Sequence, residues 1–223
     1  ERYSVSGLEQ NTVQITGQAR NDVLLRMTPS ERSQLRDRLG IGQDEFVVVY
    51  APTWRGSSRS PWFDVDRLVR DLEVLGNSHS YRIVFRGHPL AANALRDLDL
   101  SVLVPSESIS TYELLAISDA LVTDYSSLGI DYLCTQNPVL YYVHDYDEYA
   151  VGRGLYFDRA GFPGLVVDSV EELHEALELN ASGEDLLDEG IATELRRSLA
   201  PLDDGLASSR AVEALFDSNE SVH

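Results

Sequence analysis

Short apolar runs alternate along the chain with longer segments whose apolar residues recur every three or four positions. The runs lack strict alternation of apolar and polar residues, as expected of strands that are covered on both faces. They predict strands at VQIT (13–16), FVVVYA (46–51), YRIVF (81–85), SVLV (101–104), ALVT (120–123), PVLYY (138–142) and GLVV (164–167).

Helix signals lie between the predicted strands. TPSE at 28–31 forms a capping box with Pro at the first helical position, and Gly40 ends that helix. Residues 110–113 and 169–172 make similar boxes, and residues 64–76 carry Val and Leu at helical spacing. Because strands and helices alternate, the sequence predicts an α/β fold with a mainly parallel sheet between two layers of helices.

Length and composition narrow the class of protein. The 223 residues predict one domain over 1–223, with acidic C-terminal helices from about residue 169. The single cysteine, Cys134, allows no disulfide within the chain. No run approaches the roughly 18 apolar residues of a membrane span. The sequence has neither a signal-peptide pattern nor an initiating Met, which suggests a soluble segment of a longer protein.

The charge is strongly negative, with a formal net charge of −19. This acidity argues against nucleic-acid binding, which requires a basic surface. All 18 basic residues are Arg, and several lie in predicted loops. A guanidinium group there could still bind an anion locally, because its forked geometry matters more than the net charge.

Three loops with unusual chemistry follow three of the predicted strands. They are PTWRGSSRSPW (52–62), RGHP (86–89) and DYSS (124–127). In an open parallel sheet, ligands bind beyond the carboxyl ends of the strands. We therefore expect these loops to converge at one edge of the sheet.

The DYSS loop allows two interpretations. Ser126 and Ser127 either cap a helix, which is the ordinary role of such residues, or bind a phosphate together with the free N–H groups of the helix start. Asp131 follows one turn later. It is either a solvated side chain or a partner for the hydroxyls of a ribose.

Three further side chains have the same two interpretations. His88 stands between Gly87 and Pro89, where it could bind a phosphate or transfer a proton, or simply lie at the surface. Arg55 and Arg153 could each pair with an anion or be solvated. The His and acidic residues show no metal-ligand spacing, so we expect no metal.

The ordered segments YAPTWRG, FRGHP, LVTDYSSLGIDYL, NPVLYYVHDYDEY and GRGLYFD resemble the C-terminal half of the CDP-glycerol glycerophosphotransferases. This family includes wall teichoic acid primases and polymerases and related capsule enzymes. TGQARNDVLL (16–25) resembles the segment that leads into that half, although Gln18-Ala19 replaces the usual aromatic-Pro pair. The resemblance spans roughly residues 13 to 170.

The resemblance implies a GT-B architecture, in which two Rossmann-like halves enclose a cleft. This chain would be the donor-binding half, and the N-terminal half would be absent from it. It implies that His88 is catalytic. The implied donor phosphate ligands are Ser126, Ser127, Arg55 and Arg153. The implied ribose or nucleotide ligands are Asp131, Thr53 and Asp124.

The implied reaction is transfer of glycerol phosphate, or another polyol phosphate, from a CDP-polyol to an acceptor hydroxyl, with release of CMP. The implied partners are the donor, a polyol-phosphate or glycan acceptor and the missing half. The scheme needs no cofactor or metal. Such enzymes act at the cytoplasmic membrane face, so we expect a cytoplasmic protein whose membrane contact lies outside this chain.

Two other functions remain open from the residues alone. A UDP-sugar-binding half of a GT-B glycosyltransferase or epimerase would share the sheet and the helix-start phosphate site. A non-catalytic module could instead bind a partner protein through the Tyr-rich stretch at 141–158. Preference for cytidine over uridine nucleotides would favour the CDP-polyol transferase over the UDP-sugar-binding half. Indifference to nucleotides would favour the partner-binding module.

Overall fold

A five-stranded parallel sheet forms the centre of the protein. The computed structural model describes residues 13–57, 60–96, 98–155, 158–187 and 189–217. The strands are β1 (Phe46–Tyr50), β2 (Arg55–Ser57), β3 (Ser60–Trp62), β4 (Tyr81–Phe85), β5 (Ala120–Thr123), β6 (Val139–Tyr142) and β7 (Leu165–Val167). The sheet has the order β4-β1-β5-β6-β7, and β2 and β3 form a separate antiparallel pair.

Ten α-helices accompany these strands in the described part of the chain. They are α1 (Asp22–Arg26), α2 (Pro29–Leu39), α3 (Val65–Gly76), α4 (Pro89–Leu95), α5 (Thr111–Ala116), α6 (Leu128–Tyr132), α7 (Tyr146–Arg153), α8 (Val170–Ala181), α9 (Glu189–Leu199) and α10 (Ala207–Asp217). The predicted α/β fold with a parallel sheet is confirmed.

Two apolar cores cover the two faces of the sheet. One core joins the sheet to α1, α2 and α5 through residues such as Leu24, Leu35 and Leu114. The other joins it to α3, α4 and α8 through residues such as Leu72 and Leu173. Because both faces are buried, the strands need apolar side chains at successive positions, which explains the continuous runs in the sequence.

Two predicted strands are wrong. Residues 13–16 have no regular structure, and Val13 and Ile15 are exposed, because no strand among the described residues pairs with them. Residues 101–104 contribute a single bridge, in which Leu103 exchanges main-chain hydrogen bonds with β4. The β2–β3 pair was not predicted, since its strands are only three residues long.

The predicted helix caps are largely confirmed. Thr28 and Glu31 form a complete capping box, as do Ser110 and Glu113. At the third box the carboxylate of Glu172 accepts a hydrogen bond from the N–H of Asp168. The Ser169 hydroxyl still accepts from the Glu172 N–H, so α8 starts where the sequence predicts.

The strand order creates a crevice between β1 and β5. The chain runs from β1 outward to β4 and Leu103, then returns to the opposite side of β1 and continues outward through β5, β6 and β7. The loops that follow β1 and β5 therefore diverge to opposite sides. Ligands of open α/β sheets bind at such a reversal point.

Candidate functional site at the reversal point of the sheet

Asp124 connects the two loops that flank the crevice. Its carboxylate accepts hydrogen bonds from the main-chain N–H of Thr53, at 2.9 and 3.0 Å, and from its own neighbour, the N–H of Tyr125. Its side chain is almost fully buried. Burial raises the pKa of Asp124, while Arg55 and Thr53 act to lower it. Asp124 thus fixes the position of the loop after β1 relative to the loop after β5.

Arg55 lies between two carboxylates. Its Nη1 donates to Asp124 at 2.9 Å, while Nε and Nη2 donate to the two oxygens of Asp145 at 2.7 and 3.0 Å. Nη1 also donates to the carbonyl of Thr53. Four of the five guanidinium N–H groups of Arg55 are therefore engaged in hydrogen bonds. The formal charges of Arg55, Asp124 and Asp145 add up to −1. In this arrangement Arg55 holds loops together and offers little to an anion; its predicted phosphate contact stays a prediction.

Asp145 extends this network to the loop after β6. Besides Arg55, it accepts a 2.9 Å hydrogen bond from the hydroxyl of Tyr125. Burial acts to raise the pKa of Asp145, but the hydrogen bonds and the charge of Arg55, together with His144 and Tyr125, lower it overall. The ring of Tyr125 stacks on that of Tyr149, with the centroids 3.7 Å apart.

Trp54 brings together two predicted site residues. The Arg153 guanidinium lies over the Trp54 ring, 4.2 Å from its centroid. The His88 ring lies on the same indole at 6.5 Å between centroids. The loops at 52–62 and 86–89 therefore meet at this edge of the sheet, as predicted, and Arg153 lies beside them.

His88 is held at the start of α4 by its own helix. Its Nδ1 accepts a 3.3 Å hydrogen bond from the N–H of Leu90, and Pro89 occupies the first helical position. A ring nitrogen that accepts a hydrogen bond carries no proton, so this bond places the proton of a neutral imidazole on Nε2. Within the described residues, Nε2 has no hydrogen-bond partner. His88 can thus donate to a ligand without losing its anchor.

Ser126 and Ser127 have different roles at the start of α6. The Ser126 hydroxyl accepts a hydrogen bond from the N–H of Leu128, whereas the Ser127 side chain, at the N-cap, makes no capping bond and is exposed. Gly129 lets α6 approach β6, since a Cβ there would lie 2.0 Å from the hydroxyl of Tyr141. Ser126 is therefore engaged at the helix start, whereas the side chain of Ser127 has no capping contact, and the predicted phosphate contacts of both serines stay predictions.

Asp131 lies on the inner side of α6, away from this exposed start. Its two oxygens accept hydrogen bonds from the guanidinium of Arg20, each at 3.0 Å, and also from Asn21 and the hydroxyl of Tyr112. These four bonds use the acceptor capacity of a carboxylate. A ribose hydroxyl could reach Asp131 only by replacing one of them, and the predicted ribose contact stays a prediction.

A cavity of about 740 Å³ opens beside the Arg55 network, on the side of α3. Thr53, Arg55, Asp124 and Asp145 form the wall that it shares with the crevice. Asp71 and Tyr142 also line the cavity, and the hydroxyl of Tyr142 donates to Asp71 at 3.1 Å. Ser126, Ser127, His88 and Arg153 do not line it, so the structure holds two adjoining regions, a loop cluster and a cavity.

The sequence did not single out Asp145, Tyr50 or Asp71 as site residues. Asp145 had a usable signal, since it lies in the segment NPVLYYVHDYDEY directly after a buried strand. Tyr50 and Asp71 had none, because one lies in an apolar strand and the other among the many carboxylates of an acidic chain. Only their burial against the same cavity distinguishes them.

Comparison with known families agrees with these features. The chain matches the CDP-glycerol:poly(glycerophosphate) glycerophosphotransferase family over residues 4–217. The chain belongs to this family. A match of this extent includes every loop that meets at the reversal point.

The relatives of this chain include teichoic acid enzymes. The teichoic acid ribitol-phosphate polymerase TarK of Staphylococcus aureus is 30% identical, over 94% of this chain and 42% of that protein. The teichoic acid poly(glycerol phosphate) polymerase of Bacillus spizizenii is 32% identical, over 90% of this chain and 52% of that protein. The chain thus spans about half the length of these relatives.

Solved structures show the same relationship. The wall teichoic acid polymerase TagF superimposes with a TM-score of 0.75 and 29% identity, over 97% of this chain and 55% of that one. The UDP-GlcNAc 2-epimerase of Neisseria meningitidis superimposes with a TM-score of 0.53 at 15% identity, which shows a shared fold alone. The Rossmann-like, GT-B-type fold implied by the resemblance is confirmed.

The described residues contain neither a membrane-spanning helix nor a cluster of metal-ligating side chains. No helix there combines the length and the apolarity needed to cross a membrane. No three His, Cys, Asp or Glu side chains there are grouped so that they could hold a metal ion.

Proposed function

We propose that this chain binds the CDP-polyol donor of a teichoic-acid-type transferase, which moves polyol phosphate to an acceptor hydroxyl. The observation that carries the proposal is the family match over residues 4–217, since it spans the three loops that meet at the reversal point. The similarity to both ribitol-phosphate and glycerol-phosphate polymerases supports an acyclic polyol in the donor. The UDP-sugar alternative is supported only by fold-level likeness.

In the proposed site the donor pyrophosphate lies across the start of α6 and the group formed by Trp54, His88 and Arg153. Ser127 offers an exposed hydroxyl and main-chain N–H, and Arg153 offers positive charge on the face of Trp54. His88 donates from Nε2 to an α-phosphate oxygen. These groups come from the segments that follow β4, β5 and β6, and Asp124 and Arg55 join the loops after β1, β5 and β6. Such an arrangement suits phosphoryl transfer, because positioning and charge neutralisation dominate its catalysis.

The proposed chemistry is a single displacement. The acceptor oxygen forms a bond to the β-phosphorus of the donor, and the bond from that phosphorus to the oxygen bridging the two phosphates breaks. CMP leaves with the bridging oxygen, and His88 stabilises the charge that develops on it. The acceptor loses its hydroxyl proton to a base. We assign that base and the acceptor site to the other half of a GT-B enzyme, which acts at the cytoplasmic membrane face.

Calorimetric titration of the 223-residue chain tests the proposal. CDP-glycerol, CDP-ribitol, CMP and UDP-GlcNAc are the ligands. We expect cytidine nucleotides to bind in preference to UDP-GlcNAc, and His88→Ala to weaken their binding about tenfold, in line with loss of a hydrogen bond to a charged group. A folded chain that binds no cytidine nucleotide, or that prefers UDP-GlcNAc, would overturn it.

A further inference from the structure

A hydroxyl without a protein partner lies in the wall of the cavity beside Arg55. Tyr50 ends strand β1, is only 4% exposed and lines this cavity. Among the described residues its hydroxyl has no hydrogen-bond partner. Polar groups inside native proteins are nearly always hydrogen-bonded, so a hydroxyl that opens onto a cavity without a protein partner is available to a ligand.

Asp71 provides a second polar group in the same wall. It is 6% exposed, and its Oδ2 accepts the hydrogen bond from Tyr142. Its Oδ1 accepts none from the described residues. Burial raises the pKa of the Tyr50 hydroxyl, and the nearby charges of Asp71 and Asp124 raise it further, so Tyr50 stays protonated. The cavity therefore presents an unused O–H donor next to an unused carboxylate acceptor.

The lining limits what can fill the cavity. It carries seven carboxylates and three guanidinium groups, so phosphate is repelled. An ammonium group has no lone pair to accept the proton of Tyr50. A neutral alcohol meets both needs, because its oxygen accepts from Tyr50 while its proton goes to Asp71. The volume of about 740 Å³ is ample for a chain of several carbons.

We propose that this cavity receives the polyol end of the donor, with Tyr50 and Asp71 pairing with a polyol hydroxyl. The inference rests on the proposed function. The cavity shares Thr53, Arg55 and Asp124 with the crevice, and Asp124 lies two residues before Ser126. A donor whose phosphates lie at the start of α6 can thus extend its uncharged end past Arg55 into the cavity. The Arg55 network separates the anionic and the neutral parts of the ligand.

Two ligands and three variants test the inference. CDP-glycerol and CDP are titrated calorimetrically into the 223-residue chain, Tyr50→Phe, Asp71→Asn and the control Tyr81→Phe. Tyr81 is also a buried strand tyrosine, but its hydroxyl bonds to His174 at the opposite, amino end of β4. Circular dichroism confirms that each variant is folded.

We expect Tyr50→Phe and Asp71→Asn to weaken CDP-glycerol binding about three- to tenfold and to leave CDP binding unchanged, because CDP lacks the polyol. Tyr81→Phe should change neither. Equal weakening of both ligands, or no weakening of either, would overturn the polyol assignment while leaving the donor-binding proposal intact. If the wild-type chain binds neither ligand, the proposed function fails and this inference fails with it.

Discussion

The guanidinium of Arg55 forks onto the carboxylate of Asp145, with Nε 2.7 Å from Oδ2 and Nη2 3.0 Å from Oδ1. The same side chain reaches Asp124, so one cation joins the loops that follow β1, β5 and β6. All three side chains are largely buried. The pairing therefore fixes the geometry of the crevice, and its removal leaves charges in a poorly hydrated place.

Replacing Arg55 should strongly destabilise the protein. Arg55→Ala leaves two buried carboxylates without a counter-charge, which costs about 3 kcal/mol or more of unfolding free energy. Urea unfolding followed by circular dichroism measures this. Arg197→Ala is the control, because Arg197 pairs with Glu194 at the surface and should cost less than about 1 kcal/mol. Equal losses in the two variants would show that the Arg55 network contributes no more than a surface ion pair.

Replacing Ser126 should affect stability, whereas replacing Ser127 should affect the affinity for CDP. Ser126→Ala removes a hydrogen bond to the N–H of Leu128 and should lower stability by about 0.5–1 kcal/mol, with the loss measured by urea unfolding. Ser127→Ala removes no capping bond, so stability should stay within about 0.5 kcal/mol while affinity for CDP falls. If Ser127→Ala binds CDP as tightly as the wild type, the Ser127 hydroxyl does not contact the donor.

His144 should make the protein less stable in mild acid. Burial lowers the pKa of His144 below its usual 6.5 in the folded state, and the attraction of Asp145 only partly opposes this. The folded state thus binds fewer protons than the unfolded state below pH 6.5, so the contribution is present above that pH and is lost as pH falls. We expect the melting temperature to drop between pH 7.5 and 5.

His144→Asn should reduce that pH dependence, and His79→Asn, at an exposed position, should not. Differential scanning calorimetry of the three proteins across the pH range gives the comparison. Asp71 and Asp124 have raised pKa values and act in the opposite direction, but they are common to all three proteins. If the melting temperature of His144→Asn falls with pH as steeply as that of the wild type, His144 is not the source of the pH dependence.

Salt should stabilise the chain. A net charge of −19 on 223 residues makes the folded state repel itself. The screening length falls from about 10 Å at 0.1 M salt to about 3 Å at 1 M, which weakens this repulsion more than it weakens buried pairs such as Arg55–Asp145. The melting temperature should therefore rise from 0.1 to 1 M in both NaCl and KCl. A constant or falling melting temperature would mean that the surface charges are locally balanced.

Sequence patterns predicted the structure correctly where it depends on residues that are close together in the chain. The capping box at Thr28, the apolar run of β1 and the helical spacing of α3 each depend on neighbouring residues, and the structure confirms them. VQIT at 13–16 failed because an apolar run becomes a strand only when a partner strand lies beside it. SVLV at 101–104 failed in part for the same reason, since its only pairing is at Leu103.

The sequence alone determined the class of fold, the family and the loops that meet, because apolar periodicity and ordered motifs are properties of the chain itself. Which side chains are available to a ligand was decided only by tertiary structure. The sequence indicated Arg55 and Asp131 as ligands, yet partners more than 65 residues away occupy most of their hydrogen-bonding groups. The sequence indicated an ordinary strand residue at Tyr50, yet Tyr50 lines a cavity, and its hydroxyl has no hydrogen-bond partner among the described residues. Hydrogen-bond saturation depends on these distant contacts, and no local pattern records it.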